Sequence, residues 1–306
     1  MKEKAKFESC VINQGNEHLH ALAYQLSPYG NTITGVAETI QKLTVADVKS
    51  FIEQQFVAEK VAIAAAGHIK TSDLIKFIEP TTQKLPSGRE VIVPAAPIFI
   101  GSSVHDHSDN TEKVFVNIGF QGASASDADF VPLLVLRELI GSYSESSGVS
   151  NYSSTRIAEL IGTEHLAKNF ETFNLSYANS GIFGFRLETD THSLEDIVCE
   201  VISELVRLAH NARPVEVSRA VLSTDNKLRS SYNNVSSISN LLAQQLLYGT
   251  PETSLLETLQ NTNERTIREL CARKFTDTDP VAVGIGNSLN FPDYNQIRGW
   301  THWWRI

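Results

Sequence analysis

Tyr29-Gly30, Glu38-Thr39-Ile40-Gln41, Phe56 and Gly67 recur 219 residues downstream as Tyr248-Gly249, Glu257-Thr258-Leu259-Gln260, Phe275 and Gly286. Leu22, Gln25 and Thr34 extend the match, so ten positions between 20 and 67 are identical without a gap. Average composition gives about three by chance. The apolar spacing carries over too: Val48 and Phe51 fall on Ile267 and Leu270, as one helix face requires. A duplicated helix–helix–strand unit is the reading that decides the fold. The unit repeats at 219 residues, so the second copy, from about residue 100, is whole and the first shows only its last part. The expectation is that the chain is the C-terminal part of something larger.

Periodicity fills in the rest. Residues 18–27 and 36–42 read as helices joined by the turn Ser27-Pro-Tyr-Gly30. Thr44 with Asp47 predicts an N-capped helix to Phe56. Val61-Ala-Ile-Ala-Ala-Ala66, closed by Gly67, predicts a buried strand. Pro86-Ser-Gly88 and Pro94-Ala-Ala-Pro97 punctuate a linker. Beyond it, Val114 to Phe120 alternates as a strand, Ser126-Asp127 precedes a helix through Ile140, and Gly141–Ser154 reads as a mobile or turn-rich loop. A strand near Ile182–Glu188 is followed by a helix carrying Ile197, Val201, Leu205 and Leu208. Further helices run from Val215 to Leu228 and Leu241 to Leu247, before the repeated strand Val281–Ile285. The fold class is α+β, helices packed on a sheet in each unit. The expected domains are 1–85 for the incomplete first unit, 86–99 for the linker and 100–306 for the second.

Composition excludes several classes. The chain has 306 residues, 42% hydrophobic and 20% charged, so disorder and disulfide scaffolds are out. A net charge of -9 argues against a nucleic-acid partner. Cys10, Cys199 and Cys271 are odd in number and far apart, which suits a reducing compartment. No apolar run reaches the roughly 18 residues of a membrane helix.

Chemistry-bearing motifs are sparse. His18-Leu-His20 sits in a predicted helix, where i and i+2 diverge; His105-Asp-His107 sits in a predicted polar loop. Neither supplies the three ligands of a catalytic zinc, and no His-Glu-x-x-His or His-x-x-Glu-His occurs. No nucleophile elbow or phosphate loop is present. No catalytic residue and no metal ligand is assigned. Trp300, Trp303 and Trp304 crowd the C-terminus, suited equally to an interface or to self-packing.

Several stretches resemble one family. His20-Ala-Leu-Ala-Tyr-Gln25, Gly30-Asn-Thr-Ile-Thr-Gly35, Ala64-Ala-Ala-Gly67, Phe173-Asn-Leu-Ser-Tyr177 with Gly181, Thr266-Ile-Arg-Glu-Leu-Cys271 and Pro292-Asp-Tyr-Asn-Gln-Ile-Arg298 occur in order along the chain. Together they are similar to the pitrilysin-like metallopeptidases, in the lineage of the mitochondrial processing peptidase beta subunit and core protein I of the cytochrome bc1 complex. The resemblance implies two homologous α+β domains and a mitochondrial location, in the matrix or on the matrix side of the inner membrane. It implies an alpha-type or core II partner subunit and presequence peptides as substrate. It implies zinc in the full-length member, held through a His-x-x-Glu-His and a downstream Glu. This chain lacks that histidine motif, though Glu3 or Glu8 lies near the downstream position. The chain alone is therefore expected to carry no cofactor and to be inactive. An Arg and Tyr seven apart, which many active relatives use to grip substrate, are here Ile161 and Lys168, and Asn179 replaces a usual aspartate. Tyr177 and Asn174 remain as candidate substrate-binding residues. The rival expectation is a structural core subunit of the cytochrome bc1 complex, with the other subunits of that complex as partners.

Overall fold

The computed structural model describes residues 2–83, 85–87, 95–148, 155–249 and 252–302. Helices α1 (Lys2–Glu8), α2 (Val11–Ala23), α3 (Ala37–Lys42), α4 (Val45–Gln55) and α5 (Thr71–Thr82) come first. Then follow β1 (Ser102–His107), β2 (Lys113–Gln121), α6 (Phe130–Ile140), β3 (Ser142–Ser144), α7 (Arg156–Glu164), β4 (Asn169–Ser176) and β5 (Gly181–Asp190). The chain continues through α8 (Leu194–Asn211), α9 (Pro214–Ser231), α10 (Val235–Tyr248), α11 (Glu252–Asn261), α12 (Glu264–Lys274), β6 (Val281–Gly286) and α13 (Tyr294–Trp300). The α+β class holds.

Two compact units form. One comprises the chain through Thr34, Ala96–Thr224 and the chain from Glu257; the other comprises Gly35–Ala95 and Asp225–Leu256. The larger unit is built on one sheet in the order β1-β6-β2-β5-β4-β3. Among the described strands, β1 and β6 run parallel and every other neighbouring pair is antiparallel.

Alternation in β2 assigns the two faces. Val114, Val116, Ile118 and Phe120 are buried on one, where Phe120 meets Phe275 edge-on with ring centroids 5.3 Å apart. This face carries the helices the periodicity predicts: α8 packs against α12, and α6 against β4. Glu204 of α8 is buried but bonded to Arg156 and Arg207, the pairing a buried carboxylate needs. The other face takes α2. Leu19, Ala23 and Tyr24 form a core with Phe173, Ile182, Val281 and Val283. Gly15 permits the approach, because a Cβ there would lie 2.5 Å from the Phe115 ring. Helix α2, near the start of the chain, thus covers one face of this sheet, and the compact units do not follow sequence order.

Two expectations fail. Val61–Ala66 forms no strand among the described residues, and Val61 and Ile63 are 40% and 45% exposed. A strand exists only through its neighbours' hydrogen bonds, and none pairs here. His105 and His107 lie on β1, not in a loop, because parallel pairing with β6 recruits even a polar segment. Within Gly141–Ser154 the structure shows β3 and a short 3-10 turn at Glu145–Ser147. Residues 149–154, residues 88–94 of the linker, and Trp303 and Trp304 lie outside the described residues.

Candidate functional site

Two of the stretches that carry the resemblance, the one in α2 and the one that ends β4, meet each other. His20, Tyr24 and Tyr29 come from α2 and the turn after it; Tyr177, Asn179 and Ser180 come from the turn between β4 and β5. His20 Nε2 and the Tyr177 hydroxyl are 2.5 Å apart, and His20 Nδ1 is 2.7 Å from the Asn16 carbonyl. A carbonyl only accepts, so in the neutral ring Nδ1 carries the proton and Nε2 accepts from Tyr177. The Tyr29 hydroxyl donates to Asn179 Oδ1 at 2.7 Å. The Tyr24 hydroxyl donates to the Gly181 carbonyl at 3.0 Å and takes the Ser180 hydroxyl at 2.9 Å. Burial pushes the Tyr24 phenol up to about 12, opposed by the Ser180 bond and reinforced by Tyr177 and Tyr29.

Beside this network lies a cavity of about 440 Å³, lined among others by Phe7, Asn13, Glu17, His20, Tyr29 and Tyr177. Glu17 accepts the Ile33 N–H at 3.1 Å and forms no ion pair among the described residues. Tyr29 and Tyr177 stack at a tilt, with centroids 5.2 Å apart. One carboxylate among aromatic rings is the chemistry that recognises a cationic side chain, through a charge-assisted hydrogen bond and the ring faces.

Tyr177 therefore lines a cavity, as a substrate-binding candidate must. Asn174 does not join it. Phe173 and Leu175 pack with Leu19 and Tyr24, so alternation turns Asn174 to the opposite face, where its buried amide has no hydrogen-bond partner. The positions of the absent Arg–Tyr grip serve structure: Ile161 is wholly buried in α7, and Lys168 pairs with Asp190 at 2.6 Å. Glu17, His20, Tyr29 and Asn179 were not singled out as site residues. The only sequence signal for them is that each stands in or beside a quoted motif.

Zinc, which the resemblance implies for the full-length member, finds no donor set here. Among the described residues no three His, Cys, Asp or Glu side chains converge. His18 and His20 part as α2 turns. His105 packs on Phe291 with ring centroids 4.4 Å apart, and burial lowers its pKa. His107 Nε2 bonds Asp109 at 2.9 Å, and Glu8 pairs with Lys4 at 2.6 Å. No described helix is long and apolar enough to cross a membrane.

A family model described as the peptidase M16 inactive domain matches residues 42–223. The chain belongs to that family. Its curated relatives include a probable mitochondrial-processing peptidase subunit beta of Arabidopsis thaliana, 28% identical over 94% of this chain and 55% of its own length. The mitochondrial-processing peptidase subunit beta of Blastocladiella emersonii is 29% identical over 97% of this chain and 65% of its own. Cytochrome b-c1 complex subunit 1 of Bos taurus is 28% identical over 94% of this chain and 62% of its own. The chain thus spans between about half and two thirds of these relatives. In fold it is similar to a chain of complex III2 from Candida albicans, at a TM-score of 0.90 and 21% identity, covering 99% of this chain and 73% of that one. A protease from Helicobacter pylori gives 0.76 at 17% identity, covering 93% and 69%.

Proposed function

We propose that this M16 chain is the non-metal portion of a mitochondrial processing-peptidase beta-type subunit, and that the cavity beside α2 receives a basic side chain of an extended presequence. The observation that carries this is the cavity itself, which the Glu17 carboxylate lines together with Tyr29 and Tyr177. The relatives of that name, in three organisms at 26–29% identity, support the activity of the whole. A net charge of -9 favours approach of a basic peptide. On this reading the chain holds and orients substrate, with Tyr177 fixed by His20 and Tyr29 by Asn179. Its described residues supply no metal ligand and no cleavage step. The partner is an alpha-type or core II subunit, and the site of action is the matrix or the matrix face of the inner membrane. In evolutionary terms residues 1–85 close a first peptidase-like domain, 86–99 link, and 100–306 form the second.

The test is binding of a fluorescent presequence peptide to the chain. The expected result is a salt-sensitive complex weakened about tenfold by Glu17→Gln, the change expected when one charge-assisted contact goes. Replacing the peptide's arginines by citrulline should weaken the unaltered chain equally and Glu17→Gln little. Equal binding by both proteins would refute the cavity's role.

The likeness to subunit 1 of the bovine cytochrome b-c1 complex supports a second reading, a core subunit without peptidase activity. Co-purification with cytochromes b and c1 selects it; co-purification with an alpha-type subunit alone selects the first.

A further inference from the structure

Another cavity lies at the end of the sheet where β1 and β6 begin and β2 ends. Its volume is about 600 Å³, the size of a small-ligand site. Phe99, Ile100, Arg273, Lys274, Asp279 and Tyr294 line it. All of them belong to the larger unit, and none lines the Glu17 cavity.

Its charged groups do not balance locally. Arg273 and Lys274 share one carboxylate: the Arg273 guanidinium bonds Asp129 at 2.5 Å, and Lys274 Nζ stands 3.8 Å from the same side chain. Lys274 Nζ also donates to the Gly122 carbonyl at 2.9 Å. Two cations on one anion leave one positive charge, and the exposed Arg273 guanidinium keeps further N–H donors. Asp279 is placed the opposite way. It accepts from Arg298 Nε at 2.6 Å, while the same guanidinium also bonds Asp277. His302 Nε2 stands 3.0 Å from both Arg298 Nη1 and Asp277 Oδ1; with its ring neutral, one negative charge is left. Among the described residues no ion pair joins Arg273 or Lys274 to Asp279. Opposite charges thus line one cavity without meeting.

Tyr294 adds a hydroxyl. It sits against Gly101, where a Cβ would lie 2.3 Å from the phenol oxygen, so only glycine leaves it room. The hydroxyl has no hydrogen-bond partner among the described residues. Burial, reinforced by Asp279, pushes its pKa up and keeps it protonated. Phe99 and Ile100, both half-buried, supply apolar lining.

We propose that this cavity binds a free α-amino acid with an apolar side chain. The ligand carboxylate lies on Arg273, its ammonium on Asp279 and the Tyr294 hydroxyl oxygen, and its side chain against Phe99 and Ile100. An anion alone would meet Asp279, and a cation alone would meet Arg273 and Lys274; a zwitterion complements both. The inference uses neither the proposed activity nor the Glu17 cavity.

Equilibrium dialysis of the 306-residue chain against radiolabelled leucine at neutral pH tests it. The competitors are N-acetyl-leucine, which lacks the ammonium, and leucine amide, which lacks the carboxylate. Leucine should bind one to one, and each blocked form at least about tenfold more weakly, because one charge-assisted contact is lost. Arg273→Gln should bring leucine and leucine amide to equal affinity while N-acetyl-leucine remains weaker. Tyr294→Phe removes one oxygen and no charge; it should weaken leucine about tenfold and decides the matter if Arg273→Gln disturbs folding. No bound leucine, equal affinity for the three ligands, or unaltered leucine binding by the folded variants would overturn the proposal. So would binding of phosphoethanolamine, a zwitterion without the apolar side chain, in preference to leucine.

Discussion

Tyr24 shows how one residue ties the site to stability. Its ring is wholly buried and its hydroxyl bonds Ser180 and Gly181, 156 and 157 residues away. Loss of that hydroxyl in Tyr24→Phe strands a buried carbonyl and should cost about 1–2 kcal/mol in urea denaturation at pH 7. The sign of the pH effect follows from the raised pKa. An unfolded tyrosine ionises near 10 and the folded one at about 12, so the neutral phenol's contribution is complete below pH 10 and is lost as pH rises through 12. Stability should therefore fall above pH 10 in the native chain and fall less steeply in Tyr24→Phe; identical slopes would contradict this. Asn174 predicts the reverse sign. Its amide is buried without a partner, so Asn174→Leu should leave stability unchanged or raise it by up to about 1 kcal/mol, with peptide binding intact. Loss of binding would restore Asn174 as a substrate residue. Tyr177 was legible because its motif marks it. Glu17 was not, since a lone helical carboxylate reads as solvated until the fold brings the Ile33 N–H to it and places it on the same cavity wall as the tyrosines.

At the level of elements, local pattern and long-range pairing part company. The helices were legible: α4 begins at the Thr44–Asp47 capping box and α8 carries the predicted stripe, because capping and periodicity are local. Strands were legible where alternation was strong, as in β2, and in the continuous apolar run that forms β6. The polar segment of β1 becomes a strand through β6, and the apolar run Val61–Ala66 does not become one, because partners decide and sequence shows none. The same distinction predicts unequal mutational costs. Leu19 of α2 is wholly buried against the sheet, so Leu19→Ala should cost about 2–5 kcal/mol in chemical denaturation. Val48 of α4 is 49% exposed, so Val48→Ala in the chain alone should stay within about 0.5 kcal/mol. Similar costs at both positions would mean that α4 is covered in the chain alone, against the structure.

For the molecule as a whole, the duplication at 219 residues was legible from ten identities, and α4 and α12 line up at that offset, whereas 61–67 does not form the strand that β6 does. The packing of α2 on the sheet of the other repeat was not, since it joins residues that no periodicity links. That packing builds the cavity, so the site was legible only in its parts. The functional proposal assigns this chain substrate positioning and leaves metal-dependent cleavage to groups its described residues do not supply. It is tested by purifying the 306-residue chain alone and measuring zinc by elemental analysis alongside binding and cleavage of a basic presequence peptide. The prediction is peptide binding, zinc far below one ion per chain, and no cleavage; one zinc per chain together with turnover would contradict it.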